Sequence, residues 1–544
     1  MSAPLRGADI VARSLARLGC RRVFTLSGNH IMSIFDAALD AGLDLVHVRH
    51  EAAAVHMADA IGRLTGQAGV ALVTGGPGHA NAVGALYTAL GAESPMVLLS
   101  GHAATWELGR GGFQEIRQAE MSSPVTKASW TANATAMLGR DIGEAIRIAT
   151  SGRPGPVHLS LPSDLLEALV DAGAIVWPEP PAQVSGASLA DATAAAILSA
   201  IAEAARPIII AGPLMSNAGN RALLAKLEAA TGAPTVVMES PRGTADATLG
   251  AFPDLIARAD LIVLLGKALD FTLKWASGPA FDPNVRLIAI DSDAMMVERA
   301  AKEKAERLLI GCVADARSAA RMLLSHAGKI TPRPSRWLAE ARSALDGRPA
   351  EWRSVVSRTE ARLHPAEVFR ALRPYVERDP DTVLICDGGE FAQWGQAMLP
   401  VGRRLINGVA GSIGGSLSFA LSARLIEPRA PVFVVLGDGT IGFHIAEFET
   451  AVRRGLPFVA VLGNDARWNA ESQIQLREYG ANRMHGCELL PSRYDRVVAA
   501  LGGHGEYVER VADLPGAIER ALASGKPACI NVMIESIAAP AIRA

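Results

Sequence analysis

The chain has 544 residues, with 53 lysines and arginines against 55 aspartates and glutamates and a formal net charge of −2. No basic stripe alternates with aromatic residues, so nucleic-acid binding has no support. No apolar run reaches the roughly 20 residues that a membrane span needs, and the N-terminus lacks the apolar centre of a signal peptide. The five cysteines are scattered, as is typical of a reducing compartment. We therefore expect a cytoplasmic protein with neither nucleic-acid nor membrane partners.

Short apolar runs alternate with helical patterns along the whole chain, which predicts an α/β fold with parallel sheets. The length favours three doubly wound domains, which we place at residues 1–165, 188–328 and 364–544. The Pro/Ser-rich stretch VWPEPPAQVSGAS and the charged stretch from His326 to Pro365 are the predicted connectors. In chain order, strands are predicted in RRVFTLSG, DLVHVRH, GVALVTGG, PMVLLSG, GPVHLSLP, RPIIIAG, PTVVME, LIVLLG, VRLIAID, TVLICDGG, PVFVVLGDG, FVAVLGND and ACINVMI.

Two aspartates, Asp438 and Asp465, follow consecutive predicted strands that are joined by a helical pattern. A right-handed βαβ unit places both at the carboxyl ends of neighbouring strands, where open α/β sheets bind ligands. Gly437 and Gly439 allow a phosphate to approach the backbone, and we expect the helix to begin just after Thr440. Two carboxylates with a phosphate suit Mg²⁺. The alternative is a turn aspartate and a cap aspartate without a metal.

The GDG sequence followed by Asn464-Asp465 resembles the thiamine diphosphate-dependent decarboxylase and carboligase superfamily, in which GDG precedes an Asn-Asn pair. VRHEAAAVHMADAIGRLTGQAGVALVTGGPGHANAV is similar to its pyrimidine-binding domain. The final stretch GANRMHGCELLPSRYDRVVAALGGHGEYVERV is most similar to benzaldehyde lyase, while MESPRG and GGFQE resemble acetolactate synthase. LGKALDFTLKWASGPAFDPNVRLIAID resembles the middle domain of 2-hydroxyacyl-CoA lyase and oxalyl-CoA decarboxylase.

The resemblance implies two groups of residues around a metal-bound diphosphate. The metal ligands would be the side chains of Asp438 and Asp465 and the backbone carbonyl of Arg467. The asparagine usual at position 465 is an aspartate here, which makes the site one charge more negative. The backbone amides that would hold the diphosphate belong to Gly389, Glu390, Gly439 and Thr440.

The resemblance also assigns residues to the aminopyrimidine ring of the cofactor. Glu51 matches the family's glutamate, which protonates N1′ and so lets the 4′-imino group act as the base. Gly411 would accept the 4′-amino hydrogen through its carbonyl, and Ile413 would force the cofactor into its V shape. Without the family, Glu51 could simply complement a helix dipole, and Ile413 could be a core residue.

On the substrate side, His30 and Gln114 match the active-site histidine and glutamine of benzaldehyde lyase, and both could relay a proton or bind a substrate oxygen. A loop role in bonding the backbone is the alternative for either. Asn407 stands where benzaldehyde lyase has a second pocket histidine. Trp468 is shared and could form a wall of the pocket or belong to the core.

Middle domains of this superfamily hold FAD or ADP in some branches and nothing in others, and the sequence leaves this choice open. Lys267, Arg242 and Lys274 could contact such a nucleotide, but we favour solvated surface charges. The segment after the last predicted strand is short, which we expect to disfavour an acyl-CoA substrate, since CoA-using relatives commonly carry a longer one.

The resemblance implies a lyase or carboligase that depends on thiamine diphosphate and Mg²⁺ and acts on small carbonyl compounds, 2-hydroxy ketones or 2-keto acids, through an acyl-anion intermediate. Acetolactate synthase-like condensation of 2-keto acids and 2-hydroxyacyl-CoA cleavage are the alternative activities. A non-catalytic cofactor-binding subunit is the alternative from another class. By the same analogy the cofactor lies between subunits, so we expect at least a homodimer and, by family habit, a homotetramer.

Overall fold

The computed structural model describes residues 3–179, 186–328 and 336–542. These residues fall into two compact units. One contains residues 3–179 with 421–426, and the other contains the remaining described residues. Parts of the two predicted connectors, residues 180–185 and 329–335, lie outside the described residues.

The N-terminal unit is built on a six-stranded parallel sheet in the order β3-β2-β4-β5-β7-β6, with a two-stranded antiparallel pair, β1-β8, beside it. The central strands are buried at every position because helices cover both faces of a parallel sheet. The strands are β1 Leu5–Arg6, β2 Arg22–Thr25, β3 Asp44–His47, β4 Gly69–Val73, β5 Met96–His102, β6 Ala128–Thr131, β7 Pro156–Pro162 and β8 Leu169–Val170. The helices are α1 Gly7–Arg17, α2 Met32–Ala41, α3 Glu51–Thr65, α4 Pro77–Gly91, α5 Gln118–Ser122, α6 Leu138–Thr150 and α7 Ser163–Glu167.

The second unit contains two further parallel sheets, of which the first has five strands in the order β10-β9-β11-β12-β13. Its strands are β9 Pro207–Ala211, β10 Thr235–Val237, β11 Leu261–Leu265, β12 Arg286–Asp291 and β13 Leu308–Val313. Its helices are α8 Asp191–Glu203, α9 Ala218–Thr231, α10 Phe252–Ile256, α11 Ala294–Glu303, α12 Ala316–Ala327 and α13 Arg336–Asp346.

The second sheet of this unit has six parallel strands in the order β15-β14-β16-β17-β19-β18. Its strands are β14 Val383–Cys386, β15 Arg403–Ile406, β16 Val432–Gly437, β17 Val459–Asn464, β18 His504–Val508 and β19 Ala528–Met533. Its helices are α14 Pro365–Val376, α15 Glu390–Met398, α16 Ser416–Ile426, α17 Asp438–His444, α18 Glu447–Arg454, α19 Asn469–Tyr479, α20 Tyr494–Ala500 and α21 Leu514–Ala523.

The predicted fold class, three doubly wound parallel sheets with helices, is confirmed. All thirteen predicted strands are present, but the sequence analysis missed the two-residue strands β1 and β8 and four longer strands, β6, β13, β15 and β18. Each of these four is an edge strand of its sheet, and each mixes polar or half-buried positions with apolar ones. The domain boundaries themselves stay predictions.

An aromatic stack supports the last sheet below the ends of its central strands. The rings of Phe369 in α14 and Phe391 in α15 are 4.8 Å apart, and Phe369 is completely buried. Phe391 in turn covers Gly463 near the end of β17, where a Cβ atom would lie only 2.4 Å from the ring. The stack therefore connects the helix layer to the strand end that carries the Asp465 loop.

We expect Phe369→Ala to lower the free energy of unfolding of this unit by about 3–5 kcal/mol, the usual cost of truncating a buried phenylalanine. Guanidinium denaturation followed by circular dichroism measures the effect, with Leu490→Ala, at a site that is 78% exposed, as the control. Unfolding of Phe369→Ala at the wild-type denaturant concentration would contradict this packing.

Candidate active site

The pairing of β16 with β17 brings the two predicted metal-binding aspartates together. The strands are parallel, with Gly437 opposite Gly463, so Asp438 and Asp465 both lie just beyond the same edge of the sheet. Both carboxyl groups are buried and close enough to interact electrostatically. The predicted geometry of a βαβ unit is present, although its crossover consists of two helices, α17 and α18, rather than one.

The first of these helices begins at Asp438, three residues earlier than the sequence analysis predicted. The Thr440 hydroxyl accepts a hydrogen bond from the Gly437 N–H (3.1 Å) and donates one to the Gly437 carbonyl (3.0 Å). Thr440 therefore closes a helical turn that has already started. The N–H groups of Gly439 and Thr440 belong to this first turn, whose amides have no partner within a helix.

The electrostatics of the aspartate pair favour a bound cation. Burial raises the pKa of Asp438 well above its usual value, and the neighbouring Asp465 carboxylate raises it further. Burial likewise raises the pKa of Asp465, against a hydrogen bond from the Ser536 side chain. Oδ2 of Asp438 is buried and accepts no hydrogen bond from the described residues. A divalent cation would satisfy that oxygen and remove the repulsion.

The two members of the polar pair after β17 have different environments. Asn464 is completely buried, donates to the Ser492 carbonyl (3.0 Å) and to Asn531 Oδ1 (3.1 Å), and accepts from the Ala466 N–H (3.2 Å). It is therefore a structural residue that shapes the turn. Asp465 instead lines a cavity.

Arg467 follows in the same turn, and its backbone N–H donates to the Asp438 carboxylate, which places its peptide group beside the aspartates. Within the described ranges, no group of three or more His, Cys, Asp or Glu side chains has the geometry to hold a metal ion. The predicted ligand set is not such a group, because it consists of two carboxylates and one backbone carbonyl.

The aspartates open into a cavity of about 320 Å³ within the second unit. The lining includes every predicted cofactor, metal and pocket residue of this unit, namely Gly389, Glu390, Asn407, Gly411, Ile413, Asp438, Gly439, Thr440, Asp465, Arg467 and Trp468. Oδ1 of Asn407 and Oε1 of Gln393 are buried and, like Asp438 Oδ2, have no hydrogen-bond partner among the described residues. Buried polar atoms are rarely left unpaired, so this cavity has the character of a site for a polar ligand.

A second helix N-terminus faces the cavity at Gly389, which adopts a left-handed φ of 99° immediately before α15. Its position matches the predicted diphosphate-binding role of the Gly389 and Glu390 amides. The Glu390 side chain has separate contacts, since it accepts hydrogen bonds from Arg242 (3.1 Å) and from the Ala539 N–H.

The loop that carries Gly411 and Ile413 is anchored by a residue that the sequence analysis did not single out. Asp387, at the end of β14, accepts hydrogen bonds from the N–H groups of Gly388 (2.7 Å), Gly414 (2.9 Å) and Ser416 (3.2 Å). Ile413 is half-buried and lines the cavity. The only sequence signal for Asp387 was its position at a strand end, in CDGG.

Trp468 covers the GDG turn, because a Cβ atom on Gly439 would lie 2.6 Å from the indole ring. Trp468 therefore forms part of the cavity wall, which was one of the two roles predicted for it. Gln393, near the start of α15, also lines the cavity, and the sequence analysis did not single it out. It stands in an ordinary helical pattern, which gave no signal.

In the N-terminal unit, the three predicted catalytic residues surround one glycine-rich turn after β4, residues 75–78. Cβ atoms built on Gly75, Gly76 and Gly78 would lie 3.3 Å from His30 Nδ1, 2.5 Å from the Gln114 carbonyl oxygen and 3.3 Å from Glu51 Oε1, respectively. Side chains at these glycines would crowd all three groups. Glu51 is buried at the start of α3 and accepts a hydrogen bond from Asn81 Nδ2 (3.0 Å).

His30 is buried, its Nδ1 atom is 3.2 Å from the Thr74 hydroxyl, and its ring stacks on Phe113. Burial lowers the pKa of His30 below its usual value, and a hydrogen bond to the Phe113 carbonyl partly opposes this shift. A neutral imidazole at neutral pH can accept a proton. Gln114 has a left-handed φ of 58°, so its loop is held in an uncommon conformation.

Gln118 fixes the loop that carries Gln114, and the sequence analysis did not single out Gln118. Its side chain accepts from the Gly76 N–H (2.9 Å) and donates to the Gly101 carbonyl (3.1 Å) and the Ser160 hydroxyl (2.9 Å). Glu115 secures the other side of the loop by accepting from the N–H groups of Gly109, Gly111 and Gly112.

The three cations assigned to the central domain do not share one environment. Lys267 is buried and donates to Asp270 (2.8 Å), so its expected role as a solvated surface charge is wrong: the pairing with Asp270 compensates its burial. Arg242 lines the cavity that contains Asp438 and Asp465, called the cofactor cavity below, and pairs with Glu390. Lys274 is exposed, as expected.

Comparison with known proteins agrees with this geometry. Family models of the thiamine pyrophosphate enzymes match the N-terminal TPP binding domain at residues 5–121, the central domain at residues 194–323 and the C-terminal TPP binding domain at residues 387–532. The chain is 33% identical to the acetolactate synthase large subunit of Mycobacterium tuberculosis over 98% of its own length and 97% of the relative. It is 29% identical to human 2-hydroxyacyl-CoA lyase 2, over 97% and 90% respectively.

The chain therefore belongs to the thiamine pyrophosphate enzyme family. It is a thiamine diphosphate-dependent enzyme of the lyase and transferase type, and its relatives fit carbon–carbon lyase or carboligase chemistry. No helix in residues 3–179, 186–328 or 336–542 is long and apolar enough to cross a membrane.

We expect Asp387→Ala to weaken thiamine diphosphate binding and lower the melting temperature, because a hydrogen bond to a charged acceptor contributes roughly 1.5–3 kcal/mol and three are lost. Asp387→Asn keeps an oxygen for Gly388 and Gly414 and should have a smaller effect. Calorimetric titration and thermal denaturation measure both quantities. Asp381→Asn, at a side chain that is 71% exposed, is the control, and equal cofactor affinity in all four proteins would contradict the anchoring role.

Proposed function

We propose that this enzyme is a thiamine diphosphate- and Mg²⁺-dependent carbon–carbon lyase and carboligase that acts on 2-keto acids or 2-hydroxy ketones. One observation carries the proposal: two adjacent buried carboxylates share a single cavity with two helix N-termini. One of these carboxylates has an oxygen without a hydrogen-bond partner among the described residues. Carboxylates attract a divalent cation, and helix N-termini attract a diphosphate. Neither feature alone would select a metal-bound diphosphate.

The residues present fit this cofactor. Asp438, Asp465 and the Arg467 carbonyl would hold Mg²⁺, and the amides of Gly389, Glu390, Gly439 and Thr440 would hold the diphosphate. Gly411 and Ile413, on the loop that Asp387 anchors, would hold the aminopyrimidine. When bound, thiamine diphosphate supplies a carbanion that attacks a carbonyl carbon and stabilises the negative charge that develops there.

Glu51 would share a proton with N1′ of the aminopyrimidine. Its carboxylate is buried and accepts a hydrogen bond from Asn81 Nδ2 (3.0 Å), which orients it. The alternative of a merely dipole-complementing glutamate would not require burial.

His30 and Gln114 would act on the substrate. The neutral His30 ring, held by Thr74, can accept a proton from a hydroxyl or return it to a forming one. The Gln114 amide, on a loop locked by Gln118, can bind a carbonyl oxygen of the substrate. Asn407 would take the place of a titratable pocket group, with an oxygen that has no partner in the described part of the chain.

Two narrower activities each have one observation in their favour. Condensation of 2-keto acids is favoured by the relative named acetolactate synthase, with 33% identity over nearly the whole chain. Cleavage of 2-hydroxyacyl-CoA is favoured by the relatives named 2-hydroxyacyl-CoA lyase 2, which match 97–98% of the chain in human and zebrafish. The benzaldehyde lyase likeness stays a prediction, as do an assembly of at least a homodimer, a homotetramer by family analogy, and a cytoplasmic location.

A direct test separates these donors. The enzyme is incubated with thiamine diphosphate, Mg²⁺ and either pyruvate, benzoin or a 2-hydroxyacyl-CoA, quenched in acid, and examined by proton NMR for cofactor-bound and released products. Acetolactate from pyruvate supports the keto-acid donor, and aldehyde release from benzoin or the CoA ester supports cleavage. Bound cofactor with no turnover of any of the three would contradict the proposed activity.

We expect Glu51→Gln to lower turnover by about 10²–10⁴-fold, the usual contribution of a general acid–base group, while cofactor binding changes little. The rate with the best donor and the shift in melting temperature on adding thiamine diphosphate and Mg²⁺ measure the two effects separately. Glu120→Gln in the same unit, with a side chain that is 65% exposed, is the matched control. Unchanged turnover in Glu51→Gln would exclude the proposed route of cofactor activation.

A further inference from the structure

A second large cavity of the second unit, of about 440 Å³, has four arginines among its nine lining residues. It lies beside α14, at residues between α13 and α14 and at the end of α15. Its charged lining residues are Asp346, Arg348, Arg353, Arg370 and Arg373. Four guanidinium groups therefore face one carboxylate. We call this the arginine cavity, and it shares no lining residue with the cofactor cavity.

The charge of Arg348 is not neutralised by a carboxylate contact. Its guanidinium donates to backbone carbonyls only, those of Ala397 (2.7 Å), Leu345 (2.8 Å), Gly347 (2.8 Å) and Thr248 (3.1 Å). Carbonyl dipoles orient a guanidinium but carry no net charge to cancel it. Burial accordingly lowers the pKa of Arg348, although Asp346 partly opposes the shift.

Arg370 has the same kind of environment on the opposite wall. It donates to the carbonyls of Trp352 (2.8 Å) and Val355 (2.6 Å), and no carboxylate in the described ranges forms an ion pair with it. Both arginines hold the segment between α13 and α14 in place, and this structural role is enough to explain their hydrogen bonds. This role does not explain why two guanidinium groups that have no direct carboxylate contact in the described ranges lie at one cavity.

The remaining two arginines are available to a ligand. Arg353 is exposed and has no hydrogen-bond or ion-pair partner among the residues that the structure describes. Arg373 pairs with Glu377 at 2.8 Å, but both side chains are at least 40% exposed, and such surface pairs contribute little to stability. A ligand could therefore recruit Arg373 at low cost.

We propose that the arginine cavity binds a phosphate-bearing small molecule. Guanidinium groups bind phosphate oxygens in bidentate pairs, and four positive charges against one negative give a net charge of +3 for the lining side chains. The volume lies within the roughly 300–1,000 Å³ of small-molecule sites. The inference does not depend on the substrate of the cofactor site, because the two cavities are separate.

The test uses the holoenzyme, saturated with thiamine diphosphate and Mg²⁺ in a phosphate-free buffer, so that the cofactor site is filled. Inorganic phosphate and AMP are titrated by calorimetry, and AMP is competed with phosphate. Saturable binding with competition is expected, and it should weaken as ionic strength rises, because salt screens charges. Much tighter binding of AMP would identify a nucleotide as the source of the phosphate, and equal binding would identify free phosphate.

The decisive variant is Arg353→Gln/Arg373→Gln, which removes the two exposed arginines and leaves the two structural ones. Affinity for both probes should fall by about tenfold or more, as expected when two charge-assisted contacts are lost. Lys302→Gln/Arg321→Gln, at exposed positions of α11 and α12, controls for the loss of two positive charges, and thermal denaturation verifies that all variants are folded. No saturable binding of either probe, or unchanged binding in the double variant, would overturn the proposal.

Discussion

Two carboxylates buried side by side repel each other, and most of the C-terminal sheet is arranged around that constraint. Asp438 and Asp465 meet because β16 and β17 are parallel and in register at their glycine ends. Asp438 Oδ2 has no hydrogen-bond partner among the described residues, so the protein's own donors satisfy only part of this pair. A divalent cation would resolve it, and a diphosphate at the adjacent helix N-termini would complete its coordination. We therefore propose that a metal-bound diphosphate compensates the two negative charges.

The surrounding elements hold the two aspartates and the neighbouring loop in position. The Phe369–Phe391 stack supports the end of β17, Asn464 shapes the turn that aims Asp465, and Asp387 ties the loop of Ile413 to the end of β14. The N-terminal unit has a similar arrangement, since Glu51, His30 and Gln114 all approach its glycine-rich turn at residues 75–78. Both units therefore position chemical groups at the carboxyl ends of parallel strands, the usual site of ligands in such sheets.

The sequence predicted what depends on local pattern. Interior strands are continuous apolar runs because both of their faces are covered, and all of these were found. The missed strands β6, β13, β15 and β18 are edge strands, whose polar content removes that signal. Motif-bearing residues such as Asp438, Asp465 and Glu51 could be proposed as site residues in the same way, because a spacing or a family motif marks them.

Residues whose role depends on distant partners could not be found from the sequence. Asp387 binds amides up to 29 positions away, and Gln118 binds a serine 42 positions away, so neither leaves a local pattern. The environment of Lys267 was misjudged because its burial comes from the tertiary fold rather than from its neighbours in sequence. The arginine cavity belongs to the same class, since its walls come from segments that meet only in the folded chain.

The most direct test of this account is a calorimetric titration of thiamine diphosphate into the apoenzyme, with Mg²⁺ and again with EDTA. The account predicts saturable binding with Mg²⁺ and an affinity lower by about tenfold or more without it, because the diphosphate would then face two uncompensated carboxylates. Equal affinity under both conditions would contradict it, since the aspartate pair would then have no part in holding the cofactor.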